Sequence, residues 1–183
     1  MALFTRQDTV ESNRIYDGYI INLRVDTLRS NEGSETTREV VEHNGGVVII
    51  CQPEPSKVVL IRQYRYAIDE ELLELPAGRI ERGEDPFLAA KRELTEETGY
   101  IAETWCELSR MYSAPGFCSE LLYLYLATDV RLGEKCPDYD EHTEVMVFPI
   151  DDAWELVING HVRDAKTVAG IGLLANLAKI SGG

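Results

Sequence analysis

The pattern of apolar and polar positions changes period along the chain, and the change divides it into strands and helices. Residues 18–28 alternate apolar and polar side chains, as a half-buried strand does. Asn31-Glu32-Gly33-Ser34 is a turn signal, and residues 38–43 resume an extended pattern. After Gly45-Gly46, the apolar run 47–50 reads as a buried strand. Residues 51–57 carry two prolines and read as a loop, and 58–65 as another strand. Residues 68–75 are mixed and stop at Pro76.

Helical spacing follows. Phe87, Ala90 and Leu94 stand at i, i+3 and i+7 and form one apolar stripe. Glu84 and Asp85 offer N-cap carboxylates, Pro86 suits the first helical position, and Gly99 suits a left-handed C-terminal cap. The spacing therefore predicts a helix over 86–98. Residues 121–128 and 144–150 read as strands, and 151–159 and 164–180 as helices that each open with Asp. Strands outnumber helices without alternating strictly with them. The expected fold class is α+β, a sandwich with a mixed sheet.

Composition narrows the function classes. The 183 residues carry 32 Asp and Glu against 18 Lys and Arg, a formal charge of −14. So acidic a chain suits neither nucleic acid nor an anionic membrane surface. An anionic substrate would need local Arg or Lys, or a bound cation. No apolar run approaches the roughly 20 residues of a membrane helix, and the first residues lack the apolar core of a signal peptide. The four cysteines (Cys51, Cys106, Cys118, Cys136) show no metal-ligand spacing. Free thiols and a cytoplasmic location are expected. His43, His142 and His161 receive no role.

The chemistry lies in Glu93, Glu96 and Glu97. Residues 93 and 97 stand at i and i+4 and share a helix face, with 96 beside them. Like charges on one face repel, and the C-terminal end of a helix disfavours anions further. Without a compensating charge this is a costly arrangement, or else a solvated acidic face. A hard divalent cation would supply the charge, and carboxylates suit Mg²⁺ or Mn²⁺. The preceding Leu75-Pro76-Ala77-Gly78 allows a tight turn.

Residues 78–100, GRIERGEDPFLAAKRELTEETGY, resemble the Nudix box G-x5-E-x7-R-E-U-x-E-E-x-G-U, where U is a bulky aliphatic residue. Gly78, Glu84, Arg92, Glu93, Leu94, Glu96, Glu97 and Gly99 fall in place; Tyr100 departs at the last aliphatic position. The resemblance implies a Nudix-like α/β/α sandwich with a mixed β-sheet and an N-terminal antiparallel strand region. It implies residues 1–44 as that strand region, serving dimerisation, and 45–183 as the hydrolase domain. Glu93 and Glu97 would hold the metal with the Ala77 carbonyl, and Glu96 a further ion or a water. Arg92 would fix the carboxylates, and Glu84 the loop–helix junction.

Beyond the box the chain resembles ADP-ribose pyrophosphatases. The resemblance rests on Arg62-Gln63-Tyr64-Arg65, the stretch 71–77, the stretch 113–120, the stretch 160–167, and Pro115, 16 positions after Gly99. It implies Mg²⁺-dependent hydrolysis of ADP-ribose to AMP and ribose 5-phosphate, by a homodimer acting on a nucleotide sugar. The alternatives are another nucleoside diphosphate sugar, such as GDP-mannose or ADP-glucose, and a non-catalytic sensor. Arg65 and Arg38 would contact substrate, and Pro115 marks the substrate class. Glu141 matches a mobile-loop general base, with Glu144 and Glu96 as competitors. Tyr16 and Tyr19 are both available to stack on adenine.

Overall fold

A computed structural model describes residues 4–133 and 142–181. The chain divides into two compact units, Met1–Gly45 with Tyr112–Leu121, and Gly46–Met111 with Leu122–Gly183.

The first unit is an antiparallel sheet of β1 (Thr9–Asp17), β2 (Ile21–Arg29) and β3 (Glu35–His43), in that order. The turn expected at 31–34 joins β2 to β3, with Ser30 N–H donating to the Ser34 carbonyl at 2.8 Å. β1 carries no apolar alternation and lies exposed along nearly its whole length, which explains its silence in the sequence. β2 reverses its expected faces. Asp26 and Leu28 are the buried residues, whereas Leu23 and Val25 are only partly covered. Asp26 tolerates burial because Ser12 Oγ donates to it at 2.6 Å and Arg24 Nε donates to both its oxygens at 3.0 Å. The segment 112–121 joins this unit through β3. Val41 N–H donates to the Phe117 carbonyl at 2.8 Å, and Ser119 N–H donates to the Val41 carbonyl at 2.9 Å.

The second unit holds β4 (Gly46–Cys51), β5 (Lys57–Arg65), β6 (Glu70–Glu74), β7 (Ala77–Arg79), α1 (Pro86–Thr98), β8 (Tyr100–Tyr112), β9 (Leu121–Leu132), β10 (Thr143–Pro149), α2 (Ile150–Ile158) and α3 (Ala165–Ser181). One sheet runs β7-β4-β9-β8 and is mixed: β4 pairs parallel with β9 and antiparallel with β7. The other is antiparallel, β10-β5-β6. β4 is buried on both faces, so its run GVVIIC needs no polar alternation. Val47, Ile49 and Cys51 pack with Ala89, Ala90 and Leu94 of α1. Val48 and Ile50 pack with Ile150 and Ala153 of α2 and Ile171 and Leu174 of α3. Each such fully buried aliphatic side chain contributes about 1.5–3 kcal/mol. The result is an α/β/α sandwich with α1 on one side and α2 and α3 on the other. β8, a half-exposed strand of mixed composition, and the three-residue β7, read in the sequence as part of a tight turn, are the elements that the pattern left unmarked here. No described helix is long and apolar enough to cross a membrane.

Candidate active site

The helix that carries the acidic residues starts and stops where local chemistry says it should. Asp85 caps α1, accepting from Phe87 N–H at 2.9 Å and Leu88 N–H at 3.3 Å, and Pro86 follows it. Gly99 ends the helix with φ 74°, a left-handed conformation that disfavours side chains, and its N–H donates to the Thr95 carbonyl. The apolar stripe Ala89, Ala90 and Leu94 faces the sheet. That docking carries Glu93 and Glu97 inward, leaving them only 8% and 2% exposed.

Two buried carboxylates at the negative end of a helix need partners. Glu97 Oε2 accepts from Ala77 N–H on β7 at 2.9 Å. The Glu93 carboxylate lies against Gly78. A Cβ on that residue would stand 2.0 Å from the Glu93 carboxyl carbon, so only glycine permits the approach. Arg92 gathers the rest. Its guanidinium donates to Glu93 Oε1 at 2.8 Å, Glu96 Oε2 at 2.9 Å, and Glu84 Oε1 and Oε2 at 3.0 Å each. Glu84 also accepts from Glu81 N–H at 2.9 Å, which ties the loop to the helix. The hydrogen bond from Arg92 holds the Glu84 carboxyl below its usual range, and the same network raises the guanidinium. One cation thus serves three carboxylates, with Glu97 a fourth close by in sequence. Among the described residues no three His, Cys, Asp or Glu side chains converge as a metal cage. The contacts show why: Arg92 draws Glu93 and Glu96, while Glu97 turns to Ala77.

Arg65 sits at the end of β5 in a second ionic cluster. Its Nε and Nη2 donate to Glu74 Oε1 and Oε2 at 2.7 and 2.8 Å, a bidentate pair. Lys166 also reaches Glu74, and pairs with Asp164 at 3.0 Å. Burial pushes the Glu74 carboxyl up, but Arg65 and Lys166 together bring it below its usual value. The hydrogen bond to Glu74 is the main cause that raises the Arg65 guanidinium, and the charge of Glu97 contributes, so the two clusters feel each other. Gln63, two residues earlier on the same face of β5, leaves Oε1 buried without a partner among the described residues.

Arg38 and Pro115, 77 positions apart in sequence, line one cavity of about 460 Å³ in the first unit, with Arg24, Asp26, Phe117 and Cys118. Arg38 itself donates to Thr36 Oγ1 at 3.0 Å and to the Thr37 carbonyl at 2.7 Å. Glu141 lies outside the described residues. Its competitor Glu144 is exposed and pairs with Arg62 at 3.0 Å. Its neighbour Thr143 points to the opposite face of β10, where its hydroxyl donates to the Glu97 carbonyl at 2.8 Å. Tyr16 and Tyr19 are exposed. Cys51, Cys106 and Cys118 are free thiols, and burial pushes that of Cys51 up to about 12.

The NUDIX domain family matches residues 42–170, well over half of the chain. The chain belongs to that family. It is 35% identical over 167 residues to the ADP-ribose pyrophosphatase of Bacillus subtilis (strain 168), which covers 90% of each chain. It is 35% identical over 152 residues to the GDP-mannose pyrophosphatase of Cronobacter sakazakii, covering 78% of this chain and 79% of that one. A solved structure described as an ADP compounds hydrolase superposes with a TM-score of 0.85 over all of this chain and 97% of its own, at 21% identity, which speaks to the fold.

Several residues beside the candidate site escape sequence reading. Glu74 and Lys166 stand 92 positions apart, and so do Leu75 and Thr167, whose hydroxyl accepts from Leu75 N–H at 2.8 Å. No spacing rule links such pairs. The available signals were the resemblance of the stretches 71–77 and 160–167, and a Lys and a Thr just inside a helix opened by Asp164.

Proposed function

We propose that this NUDIX protein hydrolyses ADP-ribose to AMP and ribose 5-phosphate with Mg²⁺, or Mn²⁺, bound beside α1. The observation that carries the reading is the charge imbalance on that helix: one guanidinium serves Glu84, Glu93 and Glu96, and Glu97 is buried beside them. The donor chemistry suits a hard cation, since the carboxylates of Glu93, Glu96 and Glu97 gather here and the bare Gly78 lets that of Glu93 come against β7. Glu93 and Glu97 would hold the ion with the Ala77 carbonyl, and Glu96 would hold a second ion or a water. Such an ion neutralises diphosphate charge and acidifies water.

The chain's own residues do the rest. Arg65, oriented by its bidentate pair with Glu74, keeps its Nη1 edge for a phosphate oxygen. Arg38 and Pro115 share a cavity that suits another part of the nucleotide sugar. Glu141, with Glu96 as second candidate, takes the proton from the attacking water as the new P–O bond forms and the diphosphate bridge breaks. The buried, unpartnered Oε1 of Gln63 suits a water or a substrate hydroxyl, because an unpaired buried acceptor costs about 1–3 kcal/mol. The exposed side chains of β1, with Val10, Ile15 and Tyr16 among them, suit a homodimer contact. The acidic charge and the free thiols favour a cytoplasmic protein whose partners include neither nucleic acid nor membrane.

The ADP-ribose assignment rests on the B. subtilis relative and on Pro115; the Cronobacter relative favours GDP-mannose as the second reading. A panel of ADP-ribose, ADP-glucose and GDP-mannose, read as kcat/KM with Mg²⁺, separates the two. ADP-ribose is expected to lead. A higher kcat/KM for GDP-mannose overturns the assignment, and tight binding without turnover points to a sensor.

A further inference from the structure

Four consecutive residues ending at Ala77 are each pinned by another element of the second unit. Glu74 is held by Arg65 of β5 and by Lys166 of α3. Leu75 N–H donates to Thr167 Oγ1 at 2.8 Å. The Pro76 carbonyl accepts from Ile49 N–H of β4 at 2.8 Å, and Ala77 N–H donates to Glu97 of α1. Two of these five anchors, Lys166 and Thr167, come from the first turn of α3. That turn is itself organised by Asp164, which accepts from Thr167 N–H at 3.0 Å and from the Thr167 hydroxyl at 2.6 Å, and pairs with Lys166. Thr167 is therefore fully used: its hydroxyl proton goes to Asp164 and its oxygen faces Leu75. It is 0% exposed, so water cannot take over either bond.

We propose that the first turn of α3 is a positioning element of the hydrolytic site, with Thr167 and Lys166 as positioning residues. Thr167 fixes the backbone that presents the Ala77 carbonyl, and Lys166 fixes Glu74 and through it the Arg65 fork. The proposal rests on the reading above, in which Ala77 serves the cation and Arg65 the substrate. Neither Thr167 nor Lys166 touches the reacting atoms, so each acts through a neighbour. Supports of this kind hold ligands and forks to within fractions of an ångström, and their loss is felt as affinity.

The test measures Mn²⁺ binding by electron paramagnetic resonance, together with kcat, KM and the melting temperature, on the full chain. Thr167→Val keeps the shape and removes the acceptor. It is expected to weaken Mn²⁺ binding and lower kcat by about tenfold or more, and Thr167→Ser is expected to restore both. Lys166→Met is expected to raise KM more than it lowers kcat, with Lys166→Arg restoring it. A Thr167→Val protein that melts earlier but keeps wild-type Mn²⁺ affinity and kcat overturns the proposal. Should that variant fail to fold, Lys166→Met decides, and an unchanged KM is then the overturning result. A wild type that binds Mn²⁺ but cleaves no nucleotide sugar would instead overturn the functional reading, while the Mn²⁺ affinities still judge the positioning claim.

Discussion

Two ionic clusters lie within the second unit, and their charges do not balance in the same way. Around Glu74, two cations (Arg65, Lys166) meet two carboxylates (Glu74, Asp164). Around Arg92, one cation meets three carboxylates, with Glu97 buried beside them. In both clusters the central carboxylates (Glu74, and Glu93 with Glu97) are covered while the guanidinium reaches solvent, so water can make up only part of a deficit. The balanced cluster completes itself from the chain. The unbalanced one gathers more carboxylates than cations in its described contacts, at the end of a helix that already disfavours anions. The difference teaches where an external ligand belongs. A cluster that is neutral as built orients its neighbours, whereas one short of positive charge is built to receive it.

The sharpest way to break this comparison is to remove the proposed general base while leaving both clusters whole. Glu141→Gln should lower kcat by about 10² to 10⁴ with KM little changed and the melting temperature unaltered, as steady-state kinetics and thermal melts would read. A normal kcat would move the role to Glu96. Next comes the balanced cluster. Glu74→Gln leaves Arg65 without its carboxylate and Lys166 with Asp164 alone, and should cost about 3 kcal/mol of stability in denaturant melts. Its pH dependence has a definite sign. The Glu74 carboxyl is held below its ordinary value of 4.5, so its stabilising effect is full above that pH and is lost as the pH falls through the lower folded value. The wild type should therefore lose stability in acid more steeply than Glu74→Gln, and parallel curves would contradict the pairing.

The unbalanced cluster should behave in the opposite way. Glu97→Gln removes charge from the surplus side, so the cation-free protein should melt no earlier than the wild type. Its kcat should fall by about 10² to 10³, as several kcal/mol of transition-state stabilisation go with the cation. Arg92→Met takes away the guanidinium that Glu84, Glu93 and Glu96 share and should cost about 1–3 kcal/mol, and added Mg²⁺ should recover more stability than it adds to the wild type. Equal Mg²⁺ shifts in the two proteins would remove the rationale for the cation. The smallest effect belongs to Glu144→Gln. It breaks an exposed pair with Arg62 worth roughly 0–1 kcal/mol and should leave kcat unchanged.

How much of this was legible in the sequence follows the range of each interaction. The cap at Asp85, the stop at Gly99 and the carboxylates of α1 depend on residues within a few positions, and spacing alone placed them. β4 was legible because burial on both faces leaves a purely apolar run. β1 and β8 were not, because exposed strands of mixed composition keep no period. β2 misled in its facing. Its covered face holds Asp26 beside Leu28, since Ser12 of β1 and Arg24 satisfy the carboxylate, and no alternation rule registers such partners. The same limit hid the balanced cluster. Arg65 was singled out by resemblance, but Glu74, Lys166 and Thr167 meet only after the chain has closed over some 90 positions.

The most direct measurement is ADP-ribose cleavage by the wild-type protein with Mg²⁺ and after exhaustive chelation, with products identified by mass. A surplus of carboxylates awaiting a cation predicts AMP and ribose 5-phosphate with Mg²⁺, negligible turnover with chelator, and recovery when Mg²⁺ is restored. Full turnover in the chelated protein would contradict it.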